Sequence, residues 1–570
     1  MAGLLATTAH PLPSLSPVSF HSWYDNSLGP SRLRLRNIIS GIRFRATDLV
    51  HASKEDPEWL ALYDIDDVDS LIKDPAYQDL QAQEIQEKSF MAKIVADRAI
   101  YRLDHEDRGK SFVPLESLNN DEARGASLVA VQLVVKPNRV SDVVRWYNEY
   151  LLPAFSGTPG WRRSRLFSRH AGRNGLGKAT GNPDSDSVVF LILADLAHKS
   201  LPRFTISFHD TRLRTFEWYY TLGPAPRDLS SLAAITPQQQ KDQERQLGSK
   251  AWSWTSDDKR TRTFLHPVRP VVESYITTPD GVDISYRLEG GSGKNISFTT
   301  GSSYHPLLLL SNPILADWSI WDKFVDHFLQ THPRWRVLRY LTRGRGPLPS
   351  TKHQVHISVD LLASDVKSLL DALRVPKAAL LVGVSLGAIT VLNFSSLYPS
   401  RVAKFVAADT TPSAAPSNRQ AWAERISLAE KDVSGQSTSG DRTVGKELGS
   451  ATARRWLVPE TYSKHPELAH SIERIVAANS LEGLRSLAHS LYDYDIRARL
   501  AKASVSGLFV VGAQDGPLPK EMKQVALEYG SKREDGKKEV AQLKVIDGAG
   551  HLPNVEQPEA FFKVVNEFVG

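Results

Sequence analysis

Five apolar residues, Ala378-Ala379-Leu380-Leu381-Val382, run straight into Gly383-Val384-Ser385-Leu386-Gly387, and Ala388-Ile389-Thr390-Val391-Leu392 follows at once. A continuous apolar run of this length suits a strand buried on both faces, which requires a parallel sheet covered by helices. The residues after it suit a helix, so the turn between them has almost no length. Glycines two positions before and two after the serine remove the Cβ atoms that would keep strand and helix apart, and the serine hydroxyl is left exposed on a strained turn. The expected fold around it is a mostly parallel, doubly wound α/β sheet.

A serine hydroxyl is a weak nucleophile at neutral pH and needs a base within hydrogen-bond reach, oriented in turn by an acid. Downstream, Gly507-Leu508-Phe509-Val510-Val511-Gly512 reads as a strand whose following loop carries Asp515. Leu543-Lys544-Val545-Ile546-Asp547 reads as the last strand, with His551 in the loop Gly548-Ala549-Gly550-His551-Leu552-Pro553. All three residues then fall at the C-terminal edge of one parallel sheet, where ligands of such sheets bind. Asp409, in Ala407-Ala408-Asp409-Thr410, is a second strand-end carboxylate and an alternative acid.

At these residues the chain resembles the 3-oxoadipate enol-lactonases and related α/β-hydrolases. The resemblance rests on Leu310-Ser311-Asn312 with Trp321-Asp322, Val337-Leu338-Arg339-Tyr340 with Thr342-Arg343-Gly344, the turn around Ser385, and Gly548 to Pro558. It implies a catalytic triad of Ser385, Asp515 and His551, and a helical cap at about 411–500. Arg455-Trp456 and Asp493-Tyr494-Asp495 are expected on helices of that cap, and a mobile loop is expected near 433–440. It also implies an oxyanion hole built from two backbone N–H groups. Leu386 supplies one. The family position for the other is held by Pro313, which has no N–H, leaving Ile314 or the Asn312 side chain as candidate donors. A second departure is Leu341-Thr342-Arg343-Gly344-Arg345-Gly346, where relatives often read Asp-x-Arg-Gly-His-Gly; these are read as structural changes in a loop near the site.

Ahead of this half lies an internal repeat. Trp23-Tyr24-Asp25 with Pro30 recurs as Trp146-Tyr147-Asn148 with Pro153, at the same spacing. Each copy leads into a glycine-led segment, Gly41-Ile42-Arg43-Phe44-Arg45 and Gly160-Trp161-Arg162-Arg163. Strand candidates flank both: Gly3–Ala6 and Trp59–Asp64 in the first, Leu128–Val135 and Val188–Ala194 in the second. That order suits a split β-α-β arrangement, and two such sheets could pack face to face. The motifs resemble the EthD-type, dimeric α+β barrel families, which implies ferredoxin-like repeats at 1–115 and 116–229. Tyr24, Asp25, Trp146 and Tyr147 could line a cleft, although aromatic residues at a helix start more often belong to a core. A polar linker is expected at 230–270, opened by the Gln238–Gln246 run, and the hydrolase domain at 271–570, starting with a hairpin around Pro279-Asp280-Gly281.

Composition narrows the chemistry. Of 570 residues none is cysteine, which excludes disulfides, thiolate metal sites and a cysteine nucleophile. No run reaches the ~20 apolar residues of a membrane span. The formal net charge of +6 is spread along the chain. The one alternating basic run, Arg32-Leu33-Arg34-Leu35-Arg36, suits a solvated face better than a nucleic-acid site. The opening twenty residues lack a basic segment before an apolar core, and no terminal targeting motif is recognised, so a cytoplasmic location is expected. The leading expectation is a hydrolase of a small lactone, ester or related carbonyl compound, with no metal or organic cofactor. A cyclase or lyase using the same pocket for acid/base work is the alternative, and self-association through the N-terminal domain is left open.

Overall fold

The fold is that of a computed structural model. It describes residues 1–15, 20–21, 23–33, 35–48, 56–86, 91–110, 112–115, 123, 125–172, 187–198, 204–205, 208–222, 252–254, 262–265, 269–290, 306–345, 357–373, 375–435, 442–530 and 541–570. Contacts divide the chain into two compact units, one built chiefly on Met1–Gln243 and the other chiefly on Arg262–Ile296 and Tyr304–Gly570.

The first unit contains β1 (Gly3–Pro11), β2 (Ile38–Ala46), β3 (Trp59–Ile65), β4 (Ile94–Arg108), β5 (Ser127–Val135), β6 (Trp161–Gly172), β7 (Val188–Leu196) and β8 (Thr211–Thr221). They close into a barrel in the order β1-β3-β2-β8-β5-β7-β6-β4, with every neighbour antiparallel. The expectation of two sheets packed face to face is therefore corrected. β2 pairs with β8 and β4 with β6, so the halves join edge to edge. Joining satisfies the edge-strand N–H and C=O groups that two open sheets would leave bare.

Alternation along the strands sorts the side chains. Leu4, Ala6, Phe44, Leu62, Leu128, Leu193 and Phe216 fill the interior. The opposite face of β5, with Val129, Val131 and Leu133, lies under Trp146, Tyr147 and Phe155, and Trp59, Ala61 and Tyr63 of β3 lie under Phe20 and Tyr24. Tyr24, Asp25, Trp146 and Tyr147 are all buried, as core residues are. The two copies of the repeat also share a backbone irregularity. Wide π-helical turns at Tyr24–Leu28 and Tyr147–Leu151 precede Pro30 and Pro153, and Gly29 and Leu152 donate to the carbonyls five residues back. A proline ring crowds the carbonyl four residues behind it and brings no N–H, so a widened turn fits the chain there.

The other sheet holds β9 (Trp252–Trp254), β10 (Arg262–Leu265), β11 (Pro270–Thr277), β12 (Asp283–Gly290), β13 (Leu307–Ser311), β14 (Arg336–Tyr340), β15 (Ala378–Val384), β16 (Val402–Ala408), β17 (Ser506–Gly512) and β18 (Gln542–Ile546), with β10 to β18 in the second unit. Their order is β18-β17-β16-β15-β13-β14-β12-β11-β10-β9. From β14 to β18 the neighbours are parallel, and β10 to β12 with β14 form an antiparallel extension. The expected hairpin is β11 and β12, with Gly281 at φ 83°. Part of the stretch read as a linker is strand: β10 pairs with β11 through Arg262-Thr263-Phe264-Leu265, whose backbone completes an edge that β11 would otherwise expose. The Gln238–Gln246 run lies outside the described residues.

Between β16 and β17 the helices Asn418–Lys431, Gly445–Trp456, Pro459–Lys464, Pro466–Ala477, Leu481–Ala488 and Arg497–Leu500 form the cap. Arg455 and Trp456 end one of them. Asp493-Tyr494-Asp495 is not helical: Asp495 bridges Ser413, and its carboxylate caps the amide of Arg497 instead of continuing a helix. Residues 436–440 of the expected loop are not among those described. No described helix is long and apolar enough to cross a membrane.

Candidate active site

Ser385 sits between β15 and the helix Leu386–Leu397 at φ 56° and ψ −121°, a conformation costly for a side-chain-bearing residue. The flanking glycines explain how it is tolerated. A Cβ on Gly383 would lie 2.3 Å from the Gly387 carbonyl oxygen, and one on Gly387 would lie 2.1 Å from that of Ser311. The Ser385 N–H is held by the Ala408 carbonyl at 2.9 Å, which ties the turn to β16.

Two strands away, the loops after β17 and β18 meet. His551 Nδ1 lies 2.7 Å from Asp515 Oδ2, and each residue keeps 16% of its side-chain surface exposed. Glycine again permits the approach, since a Cβ on Gly512 would lie 2.0 Å from the Gly550 carbonyl oxygen. The cap fixes the imidazole from the other side: the His551 amide donates to the Trp456 carbonyl at 2.7 Å, and the Trp456 ring stacks on it at 5.9 Å and 29°. Glu556 secures both segments, accepting from the amides of Gly550 and Val458 and from Thr461. Sequence reasoning missed Trp456 and Glu556 as supports of the histidine.

Of the two candidate acids, Asp515 is the one against His551. Asp409 Oδ1 instead accepts from the Gly512 amide at 2.9 Å, and Asp409 is 1% exposed. Burial raises its pKa well above the carboxylate range, and the Asp515 charge adds to the rise.

The loop after β13 shapes the other wall. Both ends of the Asn312 carboxamide are engaged in the scaffold, Nδ2 donating to the Tyr340 carbonyl at 2.7 Å and Oδ1 accepting from Trp321 Nε1 at 2.9 Å. Leu315 takes φ 65°, and its carbonyl accepts from Asn479 of the cap at 2.8 Å and from Arg345 at 3.4 Å. Arg345 also binds Asp317 and Asn479, so the arginine at the departure from the family pattern ties this loop to the cap. Arg343 pairs with Asp280 and Asp365. Among the described residues the Ile314 amide meets no backbone carbonyl.

A further feature had no sequence motif behind it. Arg455 is open to solvent, yet the protein around it lowers its pKa to about 10, with Arg425 adding repulsion and Asp515 opposing it. Among the described residues neither Arg455 nor Arg425 has a carboxylate partner; Arg425 lies 4.5 Å over the Trp422 ring. A cavity of about 490 Å³ elsewhere in this unit, lined by Arg345, Ile472 and Asn554, includes neither Ser385 nor His551.

Residues 306–564 match the model of the alpha/beta hydrolase family. The C-terminal unit is an α/β-hydrolase domain. It is similar to 3-oxoadipate enol-lactonase 2 of Acinetobacter baylyi, 28% identical over 46% of this chain and 88% of that protein. The same organism's 3-oxoadipate enol-lactonase 1 is 27% identical over 50% of this chain and 97% of its own length. A hydrolase from Pseudomonas aeruginosa, known by its crystal structure, is 27% identical with a TM-score of 0.42 and covers 52% of this chain and 98% of its own. The hydrolase domain thus spans nearly the whole of these relatives, and the barrel unit lies outside the match.

Proposed function

We propose that this enzyme hydrolyses a lactone or ester through an acyl-enzyme on Ser385, and that its substrate carries a carboxylate. The His551–Asp515 pair, at the sheet edge that also bears the strained Ser385, carries the reading. Asp515 holds Nδ1–H of the imidazole, leaving Nε2 to accept the Ser385 proton as Oγ attacks the carbonyl carbon. The imidazolium then gives that proton to the departing alkoxide or enolate oxygen. A water repeats the sequence on the acyl-enzyme and releases the acid. The Leu386 N–H, at the positive end of its helix, is one donor to the oxyanion, and Ile314 N–H takes the second place that Pro313 vacates. The guanidinium of Arg455, with no carboxylate in salt-bridge contact among the described residues, is suited to a carboxylate remote from the reacting carbon, in keeping with the enol-lactonase names of the relatives. For the N-terminal unit we read two EthD-like, ferredoxin-like repeats, because its halves run in the same order, β4-β1-β3-β2 and β8-β5-β7-β6.

The test is covalent labelling by a fluorophosphonate together with turnover of lactone and aryl-ester panels. Labelling and turnover should both disappear in Ser385→Ala, with activity falling by about 10⁴-fold or more. An unlabelled protein that converts a substrate without net hydrolysis would favour a cyclase or lyase, the reading that Pro313 keeps in view.

A further inference from the structure

Asp409 closes β16 between the strand that ends at Ser385 and the strand that leads to Asp515. Its backbone is strained, at φ 49°, and its amide donates to the Val510 carbonyl at 3.1 Å. One carboxyl oxygen accepts from the Gly512 amide at 2.9 Å. The other, Oδ2, is buried and meets no hydrogen-bond partner among the described residues, and no cation pairs with it there. The acidic groups that bear on it are Asp515 and, more weakly, Glu556; beyond Asp515 stand His551 and Arg455.

An ionised carboxylate in this place would be a buried charge with one N–H donor, no counter-ion and a second carboxylate beside it. Such a group neutralises in preference to staying charged. A neutral acid turns the orphan Oδ2 into a donor, and the acceptor nearest in charge terms is Asp515. We infer that Asp409 is a positioning residue: it stays a neutral carboxylic acid through turnover and offers its proton as a hydrogen bond to the Asp515 carboxylate, which then holds His551. The inference rests on the assignment of Asp515 and His551 as acid and base. It also explains how two strand-end carboxyls can share this edge without repelling each other.

Linkage gives a test that needs no substrate. Unfolded, Asp409 titrates near ~3.9; folded, its value is raised, so the folded state keeps a proton that the unfolded state has lost. Below the unfolded value both states are protonated and nothing is lost. As pH rises from there toward the folded value, wild type loses stability, whereas Asp409→Asn has no proton to lose. The Tm of Asp409→Asn relative to wild type should therefore climb between pH 4 and pH 8. A gap that stays flat or shrinks would mean an ionised Asp409 and overturn the inference. A protonated-carboxyl C=O band in the infrared difference between wild type and Asp409→Asn at pH 7 should also be present, and its absence would count equally against it.

For the positioning role, Asp409→Ala should lose about tenfold or more in kcat with KM little changed, and Asp409→Asn, which keeps an acceptor for Gly512 and a donor for Asp515, should restore most of it. Two results would sink the role: an Asn variant as slow as the Ala variant although its Tm shows it folded, or an Ala variant as fast as wild type. Failure of the hydrolase reading looks different, because wild type itself would then resist fluorophosphonate while the Tm series still reports the charge of Asp409.

Discussion

The barrel and the edge of the hydrolase sheet both set ionisable groups among packed side chains, and they treat them in opposite ways. In the barrel, four buried arginines come with carboxylates: Arg163 with Asp195, Arg165 with Asp64 at 2.6 Å, Arg214 with Asp48 at 2.8 Å, and Arg43 with Asp25 at 2.6 Å. Away from its candidate site the hydrolase unit does the same, as with Arg339 and Glu289, both 0% exposed. Around Asp515 the pattern breaks. Among the described residues Asp409 is buried with no cation paired to it, and Arg455 and Arg425 repel each other with no carboxylate in salt-bridge contact, although the Asp515 charge opposes that repulsion. Paired buried charges are scaffold, costly to break and nearly neutral to replace together. Ionisable groups left without an opposite charge have perturbed titration and cluster at functional sites, and this is the physical ground for locating chemistry at that edge.

The comparison is broken most severely at the two aspartates paired with a base or a cation. Asp515→Asn turns an acceptor into an amide that can hold the wrong tautomer of His551, so kcat should fall by about 10⁴-fold with little change in Tm. A loss of less than tenfold would place the orienting acid elsewhere. In the barrel, Asp25→Asn leaves Arg43, itself 1% exposed, with its guanidinium among Tyr24, Trp59 and Tyr219 and no anion on Nη1. Unfolding should become easier by about 3–5 kcal/mol, and Asp25→Leu with Arg43→Met should recover most of the loss. Calorimetry decides it: a double variant no better than the single would mean that the pair carries more than scaffold.

Much of the candidate site is legible in sequence because its constraints are local. Gly383 and Gly387 answer a contact made within a single turn, and His551 is marked by a glycine loop after the last strand. What could not be read depends on partners distant in the chain. Asp409 and Asp515 end neighbouring strands in the same way, and only the fold shows that Asp515 meets His551. Arg455 looks like any helix-end basic residue until Asp515 and Arg425 are brought near it. Closure of the barrel was hidden for the same reason, since the β2–β8 and β4–β6 pairings join residues far apart in sequence and leave no trace in strand periodicity. Asp493–Asp495 misled because three polar and aromatic residues carry too little period to separate a helix from a bend.

The smallest effect is the most informative about substrate. Arg455 has no carboxylate partner to abandon among the described residues, so Arg455→Ala leaves no orphaned anion and relieves its repulsion with Arg425. Tm should hold or rise, unlike the cost of breaking a barrel pair. A guanidinium hydrogen bond to a carboxylate corresponds to about 10- to 100-fold in affinity. KM for a half-ester of a dicarboxylic acid should rise by that factor, while KM for a neutral ester of the same length and kcat for both should stay close to wild type. With the pKa of Arg455 at about 10, the preference for the anionic substrate should be flat from pH 6 to 8. Because the group is accessible, added salt should narrow that preference. Equal losses on the charged and neutral esters would make Arg455 a wall of the cleft instead of a receptor for the substrate's carboxylate, and the unpaired charge would then need another occupant.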